Sequence, residues 1–292
     1  MDQLIKYSEE QFKQRLSITV KRLVKDKISV DQPTAFLLGG QAGSGKTSLQ
    51  TIIDEKMNEN IIIINNDEFK PLHPSYRKLA QKYGKEVTQL VTPFSSRMTE
   101  VLIDKLSKKQ YNLVIEGTLR TVQTPQNTAS LLKERGFKTK LYVIAVPKQL
   151  SYIGTLTRFE DMFKNNPHAA RETPKRIHDE MVNNLPTSLD ILWRNKVFDE
   201  IHLYTRAKEH IYSSLKTTKS PKTLLESKLH ETTATKILDK YTEQLFFKME
   251  QNGRFTENTK DSILQHLNEY IENGLILKHS VSSQLQDQEN ST

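Results

Sequence analysis

The run Gly40-Gln41-Ala42-Gly43-Ser44-Gly45-Lys46-Thr47, followed by Ser48, meets the spacing G-x-x-x-x-G-K-[ST] at every fixed position. Glycines at those places let the main chain wrap an anion, so that successive N–H groups and the start of the next helix point at phosphate oxygens. In such a loop Lys46 reaches the β- and γ-phosphates and the Thr47 hydroxyl ligates Mg²⁺. The expected ligand is ATP or GTP. Two carboxylates stand where they could act on it: Asp67, just after Ile61-Ile62-Ile63-Ile64, and Glu116, which closes Tyr111-Asn112-Leu113-Val114-Ile115. Asp67 reads as the acceptor of a proton from an attacking hydroxyl, with a helix cap as the plainer alternative. Glu116 reads as a holder of Mg²⁺ or its water shell, with a structural pair to Arg120 as the alternative. Arg158 and Arg171 flank the Asn165-Asn166-Pro167 break, a place suited to a lid that folds over a triphosphate.

These residues need a scaffold, and the pattern around them supplies one. Thr34 to Leu38 is an apolar run of strand length before the loop, and Ser48 to Asn60 after it repeats Leu49, Ile52, Ile53 and Met57 at helical spacing. The runs before Asp67 and Glu116 read as buried parallel strands, which puts both acids at the carboxyl ends where open α/β sheets bind ligands. Lys140 to Val146 is a fourth strand, and a helix from Lys148 to about Phe163 carries Arg158. Ser8-Glu9-Glu10-Gln11 has the capping-box form and opens a helix ahead of the first strand. Thr92-Pro93 opens another through Leu106, on which Glu100 reads as a surface partner of Arg97. Ser188 to Arg194 reads as a short helix, and Glu200–Tyr204 with His210–Tyr212 as a strand pair at the sheet edge. Past Pro221 only amphipathic helix is expected. Strands alternating with helices predict an α/β fold, a doubly wound, mostly parallel sheet of the phosphate-loop (P-loop) NTPase or kinase type with a helical C-terminal extension. The expected division is a core over 1–225 and an extension over 226–292, with a disordered tail from about 280.

Composition narrows the setting. The 292 residues include no cysteine, which excludes disulfides and thiolate metal sites and fits a reducing compartment. Met1-Asp2-Gln3-Leu4-Ile5-Lys6 lacks a signal-peptide pattern, and the longest apolar run, Leu141 to Val146, is too short to cross a bilayer. A cytoplasmic protein with no membrane association is expected. The net charge of +8 suits a polyanionic small molecule, an acidic protein or a nucleic acid. No tight basic run with interleaved aromatics occurs, so no nucleic-acid partner is expected.

The guanine-reading Asn-Lys-x-Asp of switch GTPases has its nearest candidate in Asn195-Lys196-Val197-Phe198, which fails at the aspartate, and no Asp-x-x-Gly occurs. A kinase of a small molecule or nucleotide remains. Seven stretches then carry a more specific likeness: PTAFLLGGQAGSGKTS, IINNDEFK, VTPFSSRMTE, YNLVIEGTLRT, LYVIAVPK, ARETPKRIHD and NNLPTSL, in that order from about Pro33 to about Leu225. On these the chain resembles the zeta toxins of plasmid and chromosomal toxin–antitoxin systems. The resemblance implies an ATP-dependent kinase of UDP-N-acetylglucosamine that phosphorylates the sugar's 3′-hydroxyl, starves cell-wall synthesis, and is held inactive by a small helical antitoxin, epsilon, over the ATP site. It implies Asp67 as the base, Glu116 in the Mg²⁺ and hydroxyl-positioning set, and Arg158 and Arg171 as clamps on the ATP phosphates. It also implies Glu100, Thr118, Arg120 and Thr128 as the lining of the nucleotide-sugar pocket; for Glu100 and Thr128 the residues alone do not suggest it.

Three departures from the family pattern bear on this. Ala42 replaces a common proline, which should loosen the loop slightly. Asn65 replaces an acid before Asp67. Leu119 stands where a smaller residue is expected between two sugar contacts, which bears on the choice of acceptor. Two other readings stay open: a kinase of another nucleotide sugar or a nucleoside, and a non-catalytic nucleotide-binding regulator.

Overall fold

A computed structural model describes residues 2–167 and 170–272 of the chain. The first helix, α1 (Glu9–Leu23), opens at the capping box: the Ser8 hydroxyl accepts from the Gln11 N–H, and the Gln11 side chain accepts from the Ser8 N–H. In chain order there follow β1 (Thr34–Gly39), α2 (Thr47–Lys56), β2 (Ile62–Ile64), α3 (Asn66–Phe69), α4 (Tyr76–Tyr83), α5 (Val87–Leu90) and α6 (Thr92–Lys108). Then come β3 (Leu113–Glu116), α7 (Gln123–Glu134), β4 (Lys138–Ala145), α8 (Lys148–Asn165), α9 (Lys175–Arg194), β5 (Glu200–Thr205), β6 (His210–Ser213), α10 (Lys222–Leu229) and α11 (Thr235–Gln251). A last helix, α12, runs over 257–272.

The strands form one sheet in the order β2-β3-β1-β4-β5-β6, parallel throughout except for β6 at the edge. This is the expected α/β, mostly parallel P-loop fold. Strand β1 lies in the middle, and its side chains alternate between two apolar layers. Ala35 and Leu37 pack with Phe12, Met98, Leu132 and Leu189 on one face, while Phe36 and Leu38 pack with Leu49 and Ile53 of α2 on the other. Each such buried side chain contributes about 1.5–3 kcal/mol of transfer free energy. The register sets Leu38 of β1 opposite Glu116 of β3, so the loop that leaves β1 emerges beside that acid.

Two local expectations are corrected. Helix α2 ends at Lys56 rather than Asn60, because Asn58 and Glu59 turn into the left-handed region with φ of +49° and +60°. The separate helix from Ser188 is instead the last part of α9, which runs through Pro186. Proline inside a helix costs about 3 kcal/mol, and the fully buried Leu185, Leu189 and Leu192 on that stretch offset it.

The C-terminal helices divide between two cores. Leu225 and Leu229 of α10 join the main core, so position 225 falls inside a core-packed helix. Helices α11 and α12 pack instead on α8, through Leu245, Met249, Ile263, Leu267 and Tyr270 against Tyr152 and Ile153. The tail expected from about 280 lies outside the described residues. Among the described residues no helix is long and apolar enough to cross a membrane.

Candidate active site

From Gly39 the chain turns through the glycine loop into α2, and α8 lies against the turn. Gly43 has φ +72°, and a Cβ there would stand 2.0 Å from the Ser151 carbonyl oxygen and 2.5 Å from the Thr155 nitrogen. Facing it, a Cβ on Gly154 would stand 2.3 Å from the Gly43 oxygen. Main chain rests on main chain, and a side chain fits at neither position. Gln41, fully buried, donates from Nε2 to the Val146 carbonyl at 2.8 Å and to Ser151 Oγ at 3.2 Å. Ser151 Oγ lies 2.9 Å from His178 Nε2, and His178 Nδ1 lies 3.4 Å from the Tyr270 hydroxyl, so a buried polar chain joins the loop to α12. Burial, only partly opposed by Asp179, pulls the His178 imidazole down to about 4 and keeps it neutral. Within the loop, Lys46 Nζ donates to the Gly40 and Gln41 carbonyls at 3.1 and 3.3 Å, and Ser48 Oγ to the Gly45 carbonyl at 2.9 Å. Ala42 and Ser44 are buried, and Ser44 Oγ has no partner. Thr47 is exposed at the start of α2, where the N–H groups have no intrahelical acceptor.

The acids stand at the strand ends, as their position in the sequence predicts. Asn65 caps α3, its side chain accepting from the Asp67 N–H at 3.0 Å, which leaves the Asp67 carboxylate free of the cap. That carboxylate takes Lys70 Nζ and Arg171 Nη1, each at 2.8 Å on Oδ1. Asn66 beside it anchors α3 to α6 through Thr99 and Ser95. Glu116 accepts from Gln50 Nε2 of α2, not from Arg120, whose guanidinium lies 3.7 Å from Glu180 of α9. The Glu100–Arg97 pair does not form either: Arg97 reaches Glu9, the first residue of α1, at 2.6 Å. Arg158 Nη2 donates to Thr173 Oγ1 at 3.1 Å, across the break between α8 and α9.

Electrostatics follow from this crowding. Burial brings the Lys46 ammonium down from 10.5 to about 8, with Glu116 and Asp67 pulling the other way and Arg158 reinforcing the drop. Burial raises the Asp67 carboxyl, but Arg171, Lys70 and Arg158 together outweigh it and the net shift is downward. Glu116 moves up, through burial first, with Lys46 opposing and Glu68 and Asp67 adding to it. Arg158 reaches the cleft water, yet the walls around it exclude enough solvent to lower its value.

Two cavities meet at these groups. One, of about 520 Å³, is lined by Gly43, Gly45, Thr47 and Arg206. The other, of about 510 Å³, is lined by Thr88, Gln89, Thr118, Arg120, Thr173 and Met181. Lys46, Asp67, Glu116, Arg158 and Arg171 belong to both. Of the expected loop residues, Gly40, Gln41, Ser44 and Ser48 line neither cavity, Gln41 and Ser44 being fully buried. Two of the expected acceptor residues also stand apart. Glu100 is exposed on α6 and lines neither cavity. Thr128, on α7, faces a smaller pocket of about 210 Å³ that it shares with Thr118, Leu119 and Arg120. Leu119, with φ +53°, is buried against Gly39, where a Cβ would meet its Cδ1 at 2.4 Å, so most of its bulk goes into the core. Sequence reasoning missed Lys70, Gln50, the Ser151–His178 link and Gly154. For Gly154 a signal existed: a glycine inside an otherwise helical run, one turn before Arg158.

Comparison with known proteins places the chain in a family and agrees with the fold. The family model described as Zeta toxin matches residues 20–217. A protein named Toxin zeta from Streptococcus agalactiae is 47% identical over 253 residues, 86% of this chain and 88% of that protein. Toxin zeta from Enterococcus hirae is 49% identical over 242 residues, 82% of this chain and 85% of the relative. Among solved structures, one from the PezAT chromosomal toxin–antitoxin system of Streptococcus pneumoniae superposes with a TM-score of 0.76 at 34% identity, covering 87% of this chain and all of that one.

Proposed function

The chain belongs to the zeta toxin family, and on that premise we propose that it is an ATP- and Mg²⁺-dependent phosphotransferase acting on the 3′-hydroxyl of UDP-N-acetylglucosamine, as the cytoplasmic toxin of a toxin–antitoxin pair. The observation that carries the reading is the shared wall: five charged residues border both cavities, one cavity bounded by the phosphate loop and the other by Thr118 and Arg120. A donor and an acceptor filling the two would meet at Lys46 and Asp67.

The triphosphate lies on the loop, its β- and γ-oxygens on Lys46 and its γ-phosphate within reach of Arg158 and Arg171. Thr47 and Glu116 fit a Mg²⁺ ion, which is commonly held by one or two protein oxygens together with phosphates and water. Bound there, it would neutralise charge on the phosphates. The acceptor enters the second cavity along Thr118 and Arg120, with Thr128 within reach only of a part that extends into the smaller pocket beside it and Glu100 outside both. Its hydroxyl displaces Lys70 or Arg171 from Asp67, which orients the oxygen and takes the proton as the bond to the γ-phosphorus forms and the bond to ADP breaks. The lowered pKa of Asp67 keeps it ionised and ready to accept.

The test is incubation with ATP, Mg²⁺ and a panel of nucleotide sugars, read by mass spectrometry. One added phosphate on UDP-N-acetylglucosamine is expected; phosphate on a different sugar or on none overturns the acceptor. The partner we propose is a small helical, acidic, epsilon-type antitoxin that covers the ATP-side cavity near Arg158 and Arg171. Simultaneous binding of antitoxin and an ATP analogue without mutual weakening would overturn occlusion.

A further inference from the structure

The loop between β5 and β6 brings Arg206 to the phosphate-loop cavity beside Gly43, Gly45, Lys46 and Thr47. Its Nε lies 3.5 Å from the point where a Cβ on Gly45 would stand, and Gly45 has φ +85°, so the guanidinium borders the loop at a place kept clear of side chains. Resting on the reading of this cavity as a triphosphate site, we propose that Arg206 is a further phosphate-binding residue, a cation that takes polyphosphate oxygens on the Gly45 side of the loop.

Arg206 carries donors that no group of the described residues uses. A guanidinium carries five N–H groups in a rigid fork. Among the described residues none of those on Arg206 meets a hydrogen-bond acceptor and no carboxylate lies within ion-pair distance, while Nη1 is shut off from solvent without a partner. The other two arginines of the cavity are engaged, Arg158 with Thr173 and Arg171 with Asp67. What holds Arg206 is the Tyr241 ring of α11, 5.0 Å from its central carbon. Stacking on a ring occupies the face of the guanidinium and leaves its edges free, and an edge of two parallel N–H groups matches two oxygens of a phosphate. A guanidinium set over a ring and left without an acceptor, next to the phosphate loop, suits a polyphosphate. Through Tyr241 the same residue makes α11 a support of the nucleotide site.

The experiment is calorimetric titration of the full chain with ATP, ADP and inorganic tripolyphosphate. Wild-type binding of ATP tests the triphosphate reading by itself; if neither ATP nor tripolyphosphate binds, that reading falls and this inference with it. Where wild type binds, Arg206→Ala is expected to weaken ATP and tripolyphosphate alike by tenfold or more, to raise the KM for ATP more than it lowers kcat, and to leave UDP-N-acetylglucosamine affinity and the melting temperature unchanged. Arg206→Gln keeps the first part of the stem without the guanidinium and should show the same loss, which covers the case in which the alanine variant does not fold. Affinities within twofold of wild type overturn the proposal. So does weakened ATP binding with tripolyphosphate unaffected, because the contact would then be to base or ribose.

Discussion

Around the phosphate loop the protein joins main chain to main chain: Gly43 lies on Gly154, Gln41 is tied into β4 and α8, and a buried polar chain continues through His178 to Tyr270. Across the cleft, on the proposed acceptor side, the joints are side chains at the surface. Arg120 is about half exposed and meets Glu180 at 3.7 Å, and Glu100 faces solvent. Exposed ion pairs of that kind contribute roughly 0–1 kcal/mol each, whereas at Gly43 and Gly154 the backbones lie so close that a side chain fits at neither. The difference teaches that one half of the cleft is rigid before anything binds, as a site for a nucleotide would be, while the other half is left adjustable, open to completion by the proposed acceptor.

Substitutions should fall along that contrast. The largest effect is expected at Lys46→Ala, which removes the cation at the β/γ bridge and should drop phosphoryl transfer to background while the fold, read by circular dichroism, persists. Turnover within tenfold of wild type would contradict the role of the loop. Next is Asp67→Asn, at the seam between the halves. Asparagine keeps the shape and loses the proton acceptor, so turnover should fall by roughly 10²–10⁴-fold with ATP affinity retained. Since Asn65 already caps α3, near-normal activity in this variant would move the base to Glu116.

Gly154→Ala tests the rigid half without touching chemistry. The added methyl meets the Gly43 carbonyl, and ATP affinity should fall by about tenfold or more while acceptor affinity holds; a silent substitution would show that the loop yields more easily than its packing implies. A milder effect comes from pH. Burial holds Lys46 at about 8, and a triphosphate favours its charged form. ATP affinity should therefore be full below about pH 8 and decline as pH rises through it, with proton uptake on binding visible by calorimetry in buffers of different ionisation enthalpy. The contribution of Lys46 to stability has the opposite trend: between about 8 and its ordinary 10.5 the unfolded lysine holds a proton that the folded one has shed, so stability rises with pH across that window. The smallest effect is expected at Arg120→Ala, with an unchanged melting temperature and a three- to tenfold loss in UDP-N-acetylglucosamine affinity. A larger loss would mean that the open wall is more ordered in the complex than in the free protein.

Local chemistry was legible in the sequence wherever one stretch contains its own explanation. The loop carries its glycines, lysine and threonine in eight consecutive positions. A run of isoleucines must be buried, and an acid at its end must sit at the edge of the sheet, so Asp67 and Glu116 could be placed without a structure. The seven stretches resembling zeta toxins added Thr118 and Arg120 on the far wall. Partnerships were not legible, because they join residues far apart in the chain and many candidates of the right charge compete. Tertiary packing decided that Arg171 rather than a helix end would hold Asp67, that Glu116 would answer to Gln50 and not Arg120, and that Arg97 would choose Glu9 over Glu100. It also decided that a leucine at 119 would be absorbed beside Gly39, and that an arginine beyond β5 would reach the phosphate loop. Motif and periodicity fix what a segment can do; which groups come within a few ångströms of it is set only when the sheet closes and the helices dock.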